Sequence, residues 1–131
     1  KIPKKEHKKP EIRAELTEDM ERINEAVKAF AEGRRPAGAA VFDADKLHGD
    51  SEEILRSLTI RHRREGDYIN LRGGRKKLRK LMIDMKIPAD ERDSIWLLAY
   101  GSEVLRMAGG RYAEVYRPDS STKRLLIVDF V

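Results

Sequence analysis

The sequence predicts an α+β fold: an N-terminal amphipathic helix, then a strand-rich remainder containing one short basic helix. Three observations carry this. Ile12, Leu16, Met20, Ile23, Val27 and Phe30 recur at spacings of three and four, the period of a helix with one apolar face. After Pro36 the apolar residues fall into short runs separated by Gly, Asp and Pro, the punctuation of strands and turns. Within LRGGRKKLRKLMIDMKIPADERD (71–93), Leu78, Leu81, Met82 and Met85 form a helical stripe inside a run of cations.

Lys1, Lys4, Lys5, Lys8 and Lys9 crowd ahead of Pro10, which reads as a solvated basic linker opening an excised piece of a longer protein. The helix is expected over 12–30 and stopped by Gly33, with Thr17, Glu18 and Asp19 able to cap a shorter version. A linker-like break at 34–38 divides a basic linker and amphipathic helix (1–36) from a β-rich domain (37–131). Residues 39–42 read as a buried strand ended by Asp43 and Asp45. Asp50 and Glu53 have capping-box spacing for one short helical turn.

Leu58, Ile60 and His62 alternate with Thr59, Arg61 and Arg63, so the next strand has an inward face and a cationic one. Glu65-Gly66-Asp67 is a turn, and a strand resumes over 68–71. Gly73-Gly74 then forms a turn placed directly before the basic helix, whose first residues are Arg75, Lys76 and Lys77. Pro88 ends that helix, and one more helical turn is expected over 88–93. Apolar segments at 95–100, 104–107 and 125–131 complete the strands, with Gly101-Ser102 and Gly109-Gly110 as turns.

Cations at a helix start oppose the positive end of the helix dipole, so folding alone would place acids there. Free backbone N–H groups with Arg and Lys side chains suit an anion, above all nucleic-acid phosphate. The charge distribution points the same way. Residues 57–92 hold 11 Lys/Arg against 5 Asp/Glu, and the rest of the chain holds 17 against 18, so the net charge of +5 is local. The plain alternative, a solvated charged face, is how most such runs turn out. Arg75/Arg79 and Lys76/Lys80 would be repelling i,i+4 pairs on the helix, and Asp84 a partner for Lys80 or Lys77.

Other chemistries find little support. Asp43-x-Asp45 opens like a calcium loop, but Leu47 and His48 stand where a ligand and a glycine are required. His7, His48 and His62 lack ligand spacing, there is no cysteine, and no nucleophile elbow or phosphate loop occurs. Trp96 reads as core, and Tyr68, Tyr112 and Tyr116 as turn-flanking residues that could stack on unpaired bases. No apolar run reaches the ~20 residues needed to span a bilayer, and no signal peptide opens the chain, so a cytoplasmic setting without membrane contact is expected.

AVFDADKL (40–47), LTIRHRREGDYI (58–69), GGRKKLRKLMIDMKIPADERD (73–93) and WLLAYGSEVLRMAGGR (96–111) together resemble the C-terminal region of bacterial tRNA-Ile lysidine synthetases. Its mark is an order: basic strand, Gly-Asp, basic helix, Ile-Pro, an Arg, then a hairpin. The resemblance implies a β-rich three-layer fold like a domain of the phenylalanyl-tRNA synthetase beta subunit. It also implies a non-catalytic tRNA-recognition role on the acceptor-stem side. The parent enzyme of this family is an ATP-dependent ligase that converts the wobble cytidine of tRNA-Ile (CAU anticodon) to lysidine. ATP with magnesium, and lysine, belong to its N-terminal domain with an SGGxDS motif, which this chain does not contain. No catalytic residue, cofactor or metal is therefore expected here. On this resemblance the tRNA-facing residues are Arg61, Arg63, Arg64, Arg75, Lys76, Lys77, Lys80 and Arg92, with Gly73 and Gly74 allowing close backbone approach and Asp67 setting the turn. The expected partners are tRNA and the N-terminal catalytic domain. The alternative is a protein-interaction or regulatory module that docks on that domain or pairs with itself as a homodimer.

Overall fold

The structure is a computed structural model that describes residues 8–34, 39–108 and 111–130. It is α+β, with two sheets and few helices. Residues 35–38 of the linker-like break, with the 36/37 boundary, the Gly109-Gly110 turn and His7, lie outside the described residues.

The first element corrects the expected long helix. Ile12–Thr17 is a strand, β1, and the helix α1 runs only from Met20 to Ala31. A spacing of four is even, so Ile12 and Leu16 satisfy a strand's period of two as well as a helical turn. Ala14 completes that strand face, while Arg13 and Glu15 are exposed on the other, where Glu15 accepts from Arg22 of α1 at 2.8 Å. Asp19 separates the two elements, its carboxylate accepting the Glu21 N–H at 3.0 Å as the helix cap.

β1 and Ala39–Asp43 (β2) flank the last strand, Leu125–Phe130 (β8), in an antiparallel three-stranded sheet. Pairing Leu16 with Leu126 and Leu126 with Phe42 puts Ile12, Ala14, Leu16, Leu126, Val128, Phe130, Ala40 and Phe42 on one face. The turn after β2 explains the calcium-like spacing. Asp43, 1% exposed, accepts from the Asp45 N–H at 2.9 Å and the Thr122 hydroxyl at 2.8 Å, and Asp45 accepts the N–H groups of Lys123 and Arg124. Among the described residues no group of three His, Asp or Glu is placed to hold a metal ion.

Ser51–Ser57 forms α2, longer than the single turn its cap suggested, with the Asp50 carboxylate accepting the Glu53 N–H at 2.9 Å. It leads into a five-stranded sheet in the order β3-β6-β7-β4-β5. These strands are Leu58–Arg61 (β3), Tyr68–Leu71 (β4), Gly74–Lys77 (β5), Leu97–Tyr100 (β6) and Glu103–Met107 (β7). β6 and β7 form the hairpin turned at Gly101-Ser102, with a bulge at Leu98/Ala99. Two short helices, Leu78–Asp84 (α3) and Ala89–Arg92 (α4), lie between β5 and β6.

One buried cluster joins the sheets: Phe42, Leu126 and Val128 from the first meet Ile60, Ile69, Leu98 and Leu105 from the second, with Ile54 of α2 and Leu78, Leu81 and Met82 of α3. α1 stands apart from that cluster. It buries Ile23 and Phe30, and with Val41, Leu125 and Ile127 it lines a groove of about 840 Å³.

Candidate nucleic-acid interface

The cationic segment is organised differently from the expected helix start. Arg75, Lys76 and Lys77 lie on β5, and α3 begins only at Leu78. β4 and β5 pair from Tyr68↔Lys77 to Leu71↔Gly74, so Arg72-Gly73 is a two-residue hairpin loop. Arg75 and Lys76 are thereby taken off the helix, while Lys77 stands at its cap and Arg79 and Lys80 in its first turn, still at the unfavourable end of the dipole. Arg75, Lys76 and Lys77 occupy the outer edge of the sheet, where such charge also discourages pairing with another chain. α3 has neither an acid in its first turn nor a side-chain cap, and its Leu78 N–H donates to the Asp67 carbonyl at 3.0 Å. With Arg75 and Lys76 on a strand, the expected repelling i,i+4 pairs do not form, and the N–H groups that open the helix are those of Leu78, Arg79 and Lys80 rather than of the residues directly after Gly74.

The hairpin sorts its cations by strand parity. Arg75 and Lys77 share a face with Tyr68 and Asn70, and the Arg75 guanidinium lies 3.8 Å from the centre of the Tyr68 ring. Lys76 is on the opposite face, where its ammonium meets the Asp84 carboxylate at 2.5 Å and holds that carboxyl below its ordinary range. Sequence reasoning paired Asp84 with Lys80 or Lys77 instead; both are exposed. Beneath Arg75, Asn70 donates to the buried Glu103 carboxylate at 2.6 Å, and the Tyr116 hydroxyl donates to the same oxygen. Burial first, and then Glu103, push the Tyr116 phenol well above its ordinary value; the residue is buried, so its ring is not open to stack on a base.

The other expected contacts divide. Arg64 is exposed. Arg63 is half-buried and reaches Asp93 at 2.8 Å. Arg92 donates through Nε to the Ile87 carbonyl at 2.9 Å, bracing the link between α3 and α4. Arg61 departs from the cationic face altogether: it is 8% exposed and makes a two-pronged pair with Asp67 at 2.7 and 2.9 Å. β3 ends at Arg61, so the alternation that would expose it stops there. His62 stacks on Trp96 with ring centres 3.8 Å apart, and its Nδ1 lies 3.2 Å from the Ile95 carbonyl.

Two exposed arginines were not singled out from sequence for this surface: Arg72 in the hairpin loop and Arg79 on α3. Arg72 was legible as the residue ahead of Gly73-Gly74. The two glycines are not equivalent. Gly74 has φ +120°, while Gly73 has ordinary φ and open space where a Cβ would stand. Gly74→Ala is expected to cost about 1–3 kcal/mol in a urea melt through backbone strain, and Gly73→Ala about 0.5 kcal/mol or less. Equal effects would mean the hairpin turn is not the one described.

The family described as the TilS substrate C-terminal domain matches residues 58–127, from the start of β3 into β8. The chain belongs to this family. Its similarity to tRNA(Ile)-lysidine synthase of Caldanaerobacter subterraneus subsp. tengcongensis is 35% identity over 91 residues, 68% of this chain and 18% of that protein. The enzyme of the same name from Clostridium acetobutylicum is 36% identical over 87 residues, 65% of this chain and 17% of that protein. The chain thus spans less than a fifth of the length of these curated relatives. A crystal structure of a TilS C-terminal domain superposes with a TM-score of 0.56, covering 93% of this chain and 83% of the other at 24% identity, which establishes likeness of fold. The TilS match contains β4, β5, α3 and α4, and leaves β1, α1 and β2 outside it.

Proposed function

We propose that this chain is the tRNA-holding C-terminal part of a lysidine-forming, ATP-dependent ligase, engaging the acceptor-stem side of tRNA-Ile while a separate N-terminal domain performs the chemistry. In this reading ATP with magnesium, and free lysine, are used by that N-terminal domain in the cytoplasm, and the three-layer tRNA-binding unit, expected over 37–131, also takes in β1, which pairs with β8. The observation that carries it is the set of exposed cations that one short segment presents, Arg72, Arg75 and Lys77 on the edge hairpin and Arg79 and Lys80 on α3, within a TilS family member. Lys76 lies on the other face of β5, where Asp84 engages it, and Arg92 is partly engaged by the Ile87 carbonyl. The double-helical stem of RNA offers phosphates and 2′-hydroxyls rather than a readable major groove, so a stiff cationic ridge suits it. Linkage to a second site on the anticodon would then raise a weak contact to a useful one through effective concentration.

The test is fluorescence anisotropy with tRNA-Ile bearing a CAU anticodon, tRNA-Met and a plain RNA duplex, across a salt series. Salt-sensitive binding that favours the isoleucine tRNA is the expected result. Absence of binding at low salt, with a dimer in light scattering, would replace this reading with a self-associating module.

A further inference from the structure

Asp67 sits where three parts of the chain converge. Its carboxylate accepts both terminal nitrogens of Arg61, at 2.7 and 2.9 Å, and the Arg64 N–H at 2.8 Å. Its carbonyl accepts the Leu78 N–H that starts α3, and its own N–H donates to the Arg64 carbonyl at 3.2 Å. Arg61 extends the node, donating to the carbonyls of His62 at 3.0 Å and of Gly101 at 2.8 Å in the β6–β7 turn. Asp67 is 4% exposed and Arg61 8%.

Such a pair is not an economical way to stabilise a fold. Removing two charges from water is costly, and apolar replacement of a whole buried pair is often neutral or stabilising. Its geometry does something an apolar pair would not. On one side of Asp67 runs the loop with Arg63 and Arg64; on the other run β4, the basic edge strand β5 and α3. The same carboxylate and peptide tie both sides, and Arg61 fixes them to the β6–β7 turn.

We propose that Arg61 and Asp67 are positioning residues for RNA binding: without touching RNA, their ion pair sets the Arg63–Arg64 loop against the β5–α3 ridge, so that both meet one phosphate backbone together. The proposal rests on the RNA-binding reading above, and names what holds its two cationic segments in register.

Two variants of the 131-residue chain test it, with RNA duplex as the probe. Arg61→Met/Asp67→Leu leaves the net charge unchanged. It leaves no charge buried and unpaired, so it is expected to melt above Asp67→Asn, although the Arg64 N–H and the His62 and Gly101 carbonyls lose their partners. Binding is read at a temperature where it is folded. Its affinity should nonetheless fall roughly tenfold, with a salt slope shallower by about one to two, as the Arg63–Arg64 contacts are lost. Wild-type affinity and slope in the folded double variant would overturn the proposal. Asp67→Asn, measured at a temperature where it is folded, separates positioning from direct contact. It raises the charge by one and releases a guanidinium, so a directly binding Arg61 would tighten RNA binding and steepen the slope. Weaker binding supports positioning; equal or tighter binding overturns it. If the unaltered chain fails to bind RNA with salt dependence, the functional reading itself falls and this inference with it. A change confined to the variants bears on the inference alone.

Discussion

Arg61→Ala is expected to lower folding stability by about 3–5 kcal/mol, because it strands the buried Asp67 carboxylate without its cation. In a domain of 131 residues that corresponds to a fall in melting temperature of roughly 10–20 °C. The side chains of the pair are 9% and 2% exposed, so neither charge is screened by water as a surface pair would be. Truncation also leaves the carbonyls of His62 and Gly101 without the guanidinium that now donates to them. Arg63→Ala supplies the comparison. Its partner Asp93 is 73% exposed, and exposed pairs of this kind contribute about 0–1 kcal/mol. Urea denaturation of both variants checks the contrast. If Arg61→Ala lost no more than Arg63→Ala, the buried pair would not be what fixes the turn after β3.

The same pair shows where a sequence stops being legible. Thr59, Arg61 and Arg63 alternate with apolar residues, and alternation alone puts all three on one solvent face. What draws Arg61 inward is Asp67, six residues on and across a turn, together with a carbonyl at Gly101. Contacts of that range leave no periodic trace. The first element was misread for a different reason: Ile12 and Leu16 fit both periods, and the strand is stabilised by β8, at the far end of the chain. The basic segment was misread through its apolar stripe. Leu78, Leu81 and Met82 are helical and buried as expected, whereas Met85, the fourth residue of the stripe, caps the helix and is exposed; a stripe says where a helix is and not where it starts. The hairpin signal, an apolar run followed by Arg72-Gly73 and a second short run, was present and outweighed by the cations. Local chemistry was read more reliably. The caps at Asp19 and Asp50 and the Gly101-Ser102 turn depend on neighbours close in sequence.

Replacing Arg72, Arg75 and Lys77 together by alanine is expected to make the salt slope of tRNA binding shallower by about two to three, close to 0.9 per lost phosphate contact. Affinity at physiological salt should fall by roughly two orders of magnitude if each contact contributes about a factor of five. Folding should change little, since all three side chains are exposed on the outer hairpin and none belongs to the buried cluster. Lys76→Ala alone should do less to binding, because its ammonium is held by Asp84 on the other face of β5. Parity within one short strand thus makes a ranking: neighbours in sequence, with the same charge, differ in effect because a strand turns alternate residues to opposite sides. A helix starting at Gly74 would rank them differently, placing Lys76 and Lys80 together as neighbours one turn apart. Measuring Arg75, Lys76 and Lys77 singly, by anisotropy against salt, therefore reports the conformation of this segment as well as its partner. Equal losses at all three positions would contradict the hairpin face as the contact surface, while loss at Arg75 and Lys77 with Lys76 near wild type is what the β4–β5 register requires.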